Sequence, residues 1–318
     1  MLCLPAPDAD AAVARDGRIV MGTVLEVTVV AADAELALRL LGDVYAEVAR
    51  WDDALTIWRA DGELARLNAH ADQGPVTVSP RLQQGLAAML ELSAATGGAF
   101  EPAKPTSRGV VAGASARQRL RNVLLLDAGR ARLDGGATVD PGGIGKGLAL
   151  DAALDLLRRG GAQAAFLDFG GSSQSALAAP PGDGDGWTIL VAGWAAGSSH
   201  GLLKLRDGSV STSRAAAPDT APIVDPRTGE VVRGPCLATV LSPSATAADA
   251  WSTALVVLGR RGVEEASRRG LEVLVEDSAG VVWTPGFGHS PPAAAAARPP
   301  GDRDGNRDRA AGRENADR

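Results

Sequence analysis

Short β-rich runs joined by turns set the strongest limit on what this chain can fold into. Strands fit 122–126, 163–169, 187–192, 202–206, 209–212 and 237–241, and 271–275 and 280–284 close the body. A longer β-rich run, "RIVMGTVLEVTVVAA", covers 18–32. Helical periodicity is found at fewer places. Residues 33–55 carry Leu36, Leu40, Val44 and Val48 at helical spacing. In 79–98, Ser79 suits the cap, Pro80 the first position and Gly97–Gly98 the end, while Leu82, Leu86, Met89 and Leu90 form a stripe. Helices also fit 146–159, 245–258 and 262–269. Strands outnumber helices and many are joined by turns. The expected class is therefore α+β, with mainly antiparallel sheets and packed helices.

The chain has 318 residues, enough for a sizeable core. Net charge is −6 and aromatic residues make up 3%, which argues against nucleic acid, since that partner calls for basic stripes and stacking platforms. Cys3 and Cys236 are the two cysteines, too few for a disulfide framework or a zinc site. The start, "MLCLPAPDADAAVARDG", lacks a basic n-region, and Pro5 and Asp8 interrupt any apolar run. No segment reaches the roughly eighteen apolar residues of a membrane span. A soluble, cytoplasmic protein is the expectation. Three parts are expected: a loose leader (1–15), a body (16–290) and a disordered tail (291–318). The tail has no aliphatic residue larger than alanine and so little to bury.

The stretch "TVDPGGIGKGLALDAALDLL" (138–157) brings four glycines and Lys146 just ahead of an amphipathic run. Such a loop leaves N–H groups at a helix N-terminus, where they favour an anion. A P-loop needs glycine where Asp140 stands and Ser or Thr where Gly147 stands. A dinucleotide fingerprint counted from Gly143 needs glycine where Leu148 stands. A glycine-rich turn with a surface lysine fits the residues as well as phosphate binding does. Asp140 suits either a ligand contact or a turn cap.

In "SATAADAWSTALVVLG" (244–259), Trp251, Ala254, Leu255 and Leu258 mark a core stripe. Asp249 and Thr253, four apart on the opposite face, supply two hard oxygens suited to Mg²⁺. The same letters also spell a capping box from Thr246 to Asp249, with Thr253 solvated. "FLDFGGSSQSAL" (166–177) ends a strand in a double glycine, and "IVDPRTGEVVRG" (223–234) reads as strand, turn, strand. His70, His200 and His289 show no metal-ligand spacing, and Ser211, Thr212 and Ser213 follow a strand without a G-x-S-x-G elbow.

Taken in order, "MGTVLEVTV", "IWRADGELARLN", "GGAFEP", "VDPGGIGKGLALD", "FLDFGGS", "SVSTS", "IVDPRTG" and "ADAWSTALVVLG" resemble the ApbE-type FAD:protein FMN transferases over some 260 residues. The resemblance implies an ApbE-like, T-fold-like architecture and a Mg²⁺-dependent enzyme. Such an enzyme takes FAD, joins its FMN half to a threonine hydroxyl of a client flavoprotein and releases AMP. The family's metal ligands fall on Asp249, Thr253 and the carbonyl of Gly143. Its flavin contacts fall on Met21, Trp58, Ala99, Phe100, Glu101, Asp140, Lys146 and Val224. Lys146 and Asp249 are the implied catalytic pair.

The sequence departs from the family pattern at several places. Glu101 replaces the aspartate of the G-A-F-D-P turn, and Ser172 stands where aspartate or asparagine is common. Arg214 replaces a glycine, and Pro222 a histidine before I-x-D-P. A Trp-Gly-aromatic segment is missing from "AKPTSRGVVAGASARQ". Two further readings therefore stand beside transfer: a weakened FAD-binding protein, and a Mg²⁺-dependent FAD pyrophosphatase giving FMN and AMP.

Overall fold

The structure, a computed structural model, describes residues 11–105, 119–215 and 223–288. The tail at 291–318, His289, Pro222, Cys3 and most of the missing Trp-Gly-aromatic segment lie outside the described residues.

The long β-rich run is a hairpin. β1 (Ala12–Val20) pairs antiparallel with β2 (Thr23–Ala31), from Ala12↔Ala31 to Val20↔Thr23. Met21, at φ +49°, and Gly22, at φ +78°, make the turn. Residues 12–15, expected to be loose, are strand because β2 pairs with them and Ala14 is buried.

α1 (Ala34–Leu55) starts where the Asp33 side chain accepts from Leu36 N at 2.8 Å. It buries Leu40, Val44, Val48, Trp51 and Leu55. α2 (Glu63–Ala69) and the two-residue β3 (Val76–Thr77) follow. α3 (Pro80–Ala95) is capped by Ser79, which accepts from Leu82 N at 3.1 Å, and it buries Leu82, Leu86 and Met89. β4 (Ala103–Pro105) comes next. The run expected as a strand at 122–126 divides into one helical turn, α4 (Leu120–Val123), and β5 (Leu124–Asp127). β6 (Arg130–Leu133) and β7 (Ala137–Val139) lead into α5 (Gly145–Gly160), which ends at left-handed Gly161. β8 (Ala164–Phe169), β9 (Ser173–Leu177), β10 (Trp187–Ala192), β11 (Ser199–Leu205), β12 (Gly208–Ala215) and β13 (Cys236–Ser242) follow, with no helix between them among the described residues. α6 (Ala245–Leu258), α7 (Val263–Arg268), β14 (Glu272–Asp277) and β15 (Gly280–Trp283) complete the body. Residues 223–234 form a turn closed by one isolated bridge, Val224↔Val231, where strand, turn and strand are expected.

The main sheet has eight strands in the order β1-β2-β8-β9-β12-β13-β14-β15, every neighbour antiparallel. The α+β expectation is borne out. Leu25, Val27 and Val29 alternate toward a helical layer of α1, α5 and α6 and share its core with Trp51, Leu154 and Trp251. The β10–β11 hairpin covers the other face, packing Ile189, Val191, Leu203 and Leu205 on Val210, Leu237 and Leu274. Each such fully buried large side chain contributes roughly 1.5–3 kcal/mol. Among the described residues no helix is long and apolar enough to cross a membrane.

Candidate functional site

The glycine-rich loop is held from two sides. β7 pairs with β4 through Ala103↔Val139, and Asp140 N donates to Pro102 O at 2.9 Å, so the loop starts beside the turn containing Phe100. Asp140 caps the turn, its Oδ1 accepting from Gly142 N at 2.8 Å, while Oδ2 forms an ion pair with Lys104.

Three glycines mark close approaches. A Cβ on Gly143 would lie 3.0 Å from Thr253 Oγ1 and 3.3 Å from Phe100 Cε2; on Gly145, 3.3 Å from Met21 Cε. On Gly147 it would lie 2.5 Å from Ala245 O. The last contact is backbone, so glycine is what lets α5 and α6 cross this closely.

The two helices exchange carboxylates. Asp249 of α6 is 3% exposed, and its Oδ2 accepts from Gly147 N, in the first turn of α5, at 3.1 Å. That N–H has no partner within its own helix. In return Asp151 of α5 accepts from Ser244 Oγ at 2.8 Å, Ala245 N at 2.7 Å and Thr246 N at 3.0 Å, at the start of α6. The expected Thr246–Asp249 capping box does not form. Ser244 caps α6, accepting from Ala247 N at 3.2 Å, and Asp249 points inward to partners far away in sequence.

The other oxygen of Asp249 faces the site. Oδ1 lies 3.7 Å from Lys146 Nζ and accepts from Ser211 Oγ at 3.2 Å. A buried carboxylate needs such partners. Thr253 is half-buried rather than solvated, its Oγ1 3.3 Å from both Asp249 O and Ser213 Oγ. The donors here are a carboxylate, hydroxyls and the neighbouring Gly143 backbone. This is an oxygen set suited to Mg²⁺ and unsuited to zinc. Among the described residues no group of three or more His, Cys, Asp or Glu could hold a metal. Among the described residues, Asp249 is the carboxylate that this donor set offers a cation.

The structure thus brings together Met21, Phe100, Gly143, Lys146, Asp249 and Thr253. Ala99 is buried next to Phe100. Glu101 is turned into the fold: it accepts from Ser93 Oγ at 2.8 Å, Ala103 N at 3.1 Å and Leu120 N at 3.0 Å, and so fastens the turn in place. Trp58 (90% exposed) and Val224 (40%) stand at the surface. Beside Val224, the Arg227 guanidinium holds the Asp225 carboxyl below the usual carboxylate range. Arg214 donates to Gly193 O at 3.0 Å. Cys236 is buried and its thiol is pushed up to about 11, which leaves it no nucleophilic role near neutral pH. Asp151, Lys104 and the Ser211 contact have no local sequence signal, because their partners lie elsewhere in the chain. A groove of about 780 Å³ runs along the Leu148, Ala152, Asp155 and Arg159 face of α5, apart from the Lys146–Asp249 cluster.

Residues 21–275 match the ApbE family. The FAD:protein FMN transferase of Klebsiella pneumoniae (strain 342) is 26% identical over 301 residues, covering 85% of each chain. The apo crystal structure of the Pseudomonas stutzeri flavinyl transferase ApbE superimposes with a TM-score of 0.72 at 24% identity, over 86% of this chain and 94% of that one. The ApbE protein of Thermotoga maritima gives 0.74 at 22% identity, over 87% and 98%.

Proposed function

This chain belongs to the ApbE family, and on that premise we propose that it is a Mg²⁺-dependent FAD:protein FMN transferase acting on a threonine of a client flavoprotein. One observation carries the reading: Lys146 and the buried Asp249 face each other 3.7 Å apart at the first turn of α5, behind a glycine-rich loop. A helix N-terminus with a lysine beside it favours the pyrophosphate of FAD. Met21 and Phe100, packed against the same loop, and exposed Trp58 supply apolar surface for the flavin ring.

In the proposed reaction the threonine hydroxyl oxygen bonds to the FMN-side phosphorus. The bond from that phosphorus to the bridging oxygen breaks, AMP leaves with that oxygen, and the hydroxyl proton passes to solvent. Phosphoryl chemistry of this kind rests on positioning and charge neutralisation more than on covalent help. Lys146 supports negative charge on the phosphates. Asp249, Thr253 and the Gly143 carbonyl are the residues that would hold Mg²⁺, which when bound neutralises further charge on the phosphates. The loop and the two helices orient FAD for in-line attack.

The test is incubation of the purified protein with FAD and Mg²⁺, with and without a threonine-bearing acceptor peptide. A mass gain of FMN on the peptide, with AMP released, is expected. AMP and free FMN without acceptor would instead mark a pyrophosphatase, and FAD recovered intact a binding protein.

A further inference from the structure

A chain of buried hydroxyls converges on Asp249. Ser173 (β9), Ser211 (β12) and Ser252 (α6) are each at most 2% exposed. Ser173 Oγ lies 3.1 Å from Ser211 Oγ, and Ser211 Oγ lies 3.2 Å from Asp249 Oδ1. On the other side, Ser213 Oγ lies 2.8 Å from Ser252 Oγ, which lies 2.9 Å from the backbone oxygen of Asp249. A carboxylate only accepts, so Ser211 donates to Oδ1 and Ser173 donates to Ser211. Ser252 donates to the Asp249 carbonyl and lies 3.4 Å from Ser211 Oγ, which links the two strings. Both end on one residue. With Oδ2 held by Gly147 N, the Ser211 contact fixes the rotation of the carboxylate and keeps Oδ1 toward Lys146.

We propose that Ser211, oriented by Ser173, is a positioning residue that sets the affinity of the Asp249 site for a divalent cation. The proposal rests on the flavin-transferase reading above. Packing alone does not account for the arrangement, since alanine would fill this strand position without a buried hydroxyl to satisfy. Partners that orient a metal-binding carboxylate typically change affinity 10- to 100-fold when removed.

The experiment uses the full chain with Mn²⁺ as the probe, its free fraction read by electron paramagnetic resonance, alongside FAD affinity and Tm. Ser211→Ala should weaken Mn²⁺ binding at least about tenfold. FAD affinity without metal should stay close to wild type. Ser211→Thr, which keeps the hydroxyl, should restore most of the Mn²⁺ affinity. Ser173→Ala, one step removed, should shift it in the same direction by less, and it carries the test should Ser211→Ala fail to fold. Unchanged Mn²⁺ affinity in a folded Ser211→Ala or Ser173→Ala protein overturns the proposal while leaving the transferase reading intact. A wild-type protein that binds neither Mn²⁺ nor FAD overturns both.

Discussion

The Asp249 carboxylate accepts a hydrogen bond from the Gly147 backbone at 3.1 Å, across 102 positions of sequence. One residue thereby does two jobs: Oδ2 satisfies a donor at the start of α5, and Oδ1 faces Lys146. Asp249→Ala should abolish metal-dependent turnover while lowering FAD affinity only modestly. It should also cost about 1–3 kcal/mol of stability, because a buried N–H loses its acceptor. Asp249→Asn keeps an acceptor for Gly147, so in urea unfolding it should recover much of that loss without recovering turnover. Full activity of Asp249→Ala after metal removal and Mg²⁺ restoration would dismiss the assignment.

The proposed reaction puts Lys146 at the phosphate end of FAD. Lys146→Ala should therefore weaken FAD binding much more than riboflavin binding, since riboflavin carries no phosphate. Titrations followed by flavin fluorescence check this, and equal weakening of both would reduce the lysine to a counter-charge for Asp249.

Two glycine-to-alanine changes should have opposite signs. In α1, a Cβ on exposed Gly42 meets nothing within 4 Å, so Gly42→Ala should stabilise by roughly 0.5–1 kcal/mol through helix propensity. In α5, a Cβ on Gly147 would lie 2.5 Å from Ala245 O and 2.7 Å from Thr246 Cα. Backbone cannot swing aside as a side chain can. Gly147→Ala should destabilise by about 1–3 kcal/mol despite the same propensity gain. Chemical denaturation of the two variants side by side decides it; equal stabilisation would mean the helices are not locked at this crossing.

Tyr45 gives the chain an alkaline limit. Its hydroxyl donates to Asp16 O at 2.8 Å, and burial pushes its ionisation from 10.0 up to about 12. A group whose pKa is higher folded than unfolded contributes its full stability below the unfolded value. That contribution is lost as pH rises from about 10 toward 12. Urea midpoints taken from pH 8.5 to 11.5 should fall along this limb, and Tyr45→Phe should flatten part of the fall. The same slope in both proteins would assign the limit to other groups.

The periodic elements were the legible ones. Leu36, Leu40, Val44 and Val48 mark α1, and Ser79-Pro80 with Gly97–Gly98 frames α3, because these signals lie within a few residues of one another. The hairpin at Met21 is not legible in the sequence because a methionine at φ +49° is no turn signal, and the β-rich letters on either side read as one run. Within the site, the glycines and Lys146 stood out for their helix-terminus chemistry. Asp249 was visible as a candidate but its geometry was not. Its letters fit a local capping box, whereas its partners Gly147 and Ser211 come from other parts of the chain. Asp151 was hidden for the same reason: its acceptor role exists only once α6 arrives, 93 to 95 positions later.

The crossed exchange of carboxylates between α5 and α6 also has a consequence for how the protein is born. At synthesis rates of roughly 5–20 residues per second, the 102 positions between Gly147 and Asp249 take on the order of 5–20 s to make. Throughout that interval Lys146 and the glycine loop can be out of the ribosome while Asp249 is still to come. Until then the Gly147 N–H lacks its acceptor and α5 lacks the helix it crosses, so the start of α5 cannot settle into its final arrangement. A nascent chain stopped before residue 245 should lack tight FAD capture, however well its earlier helices have formed.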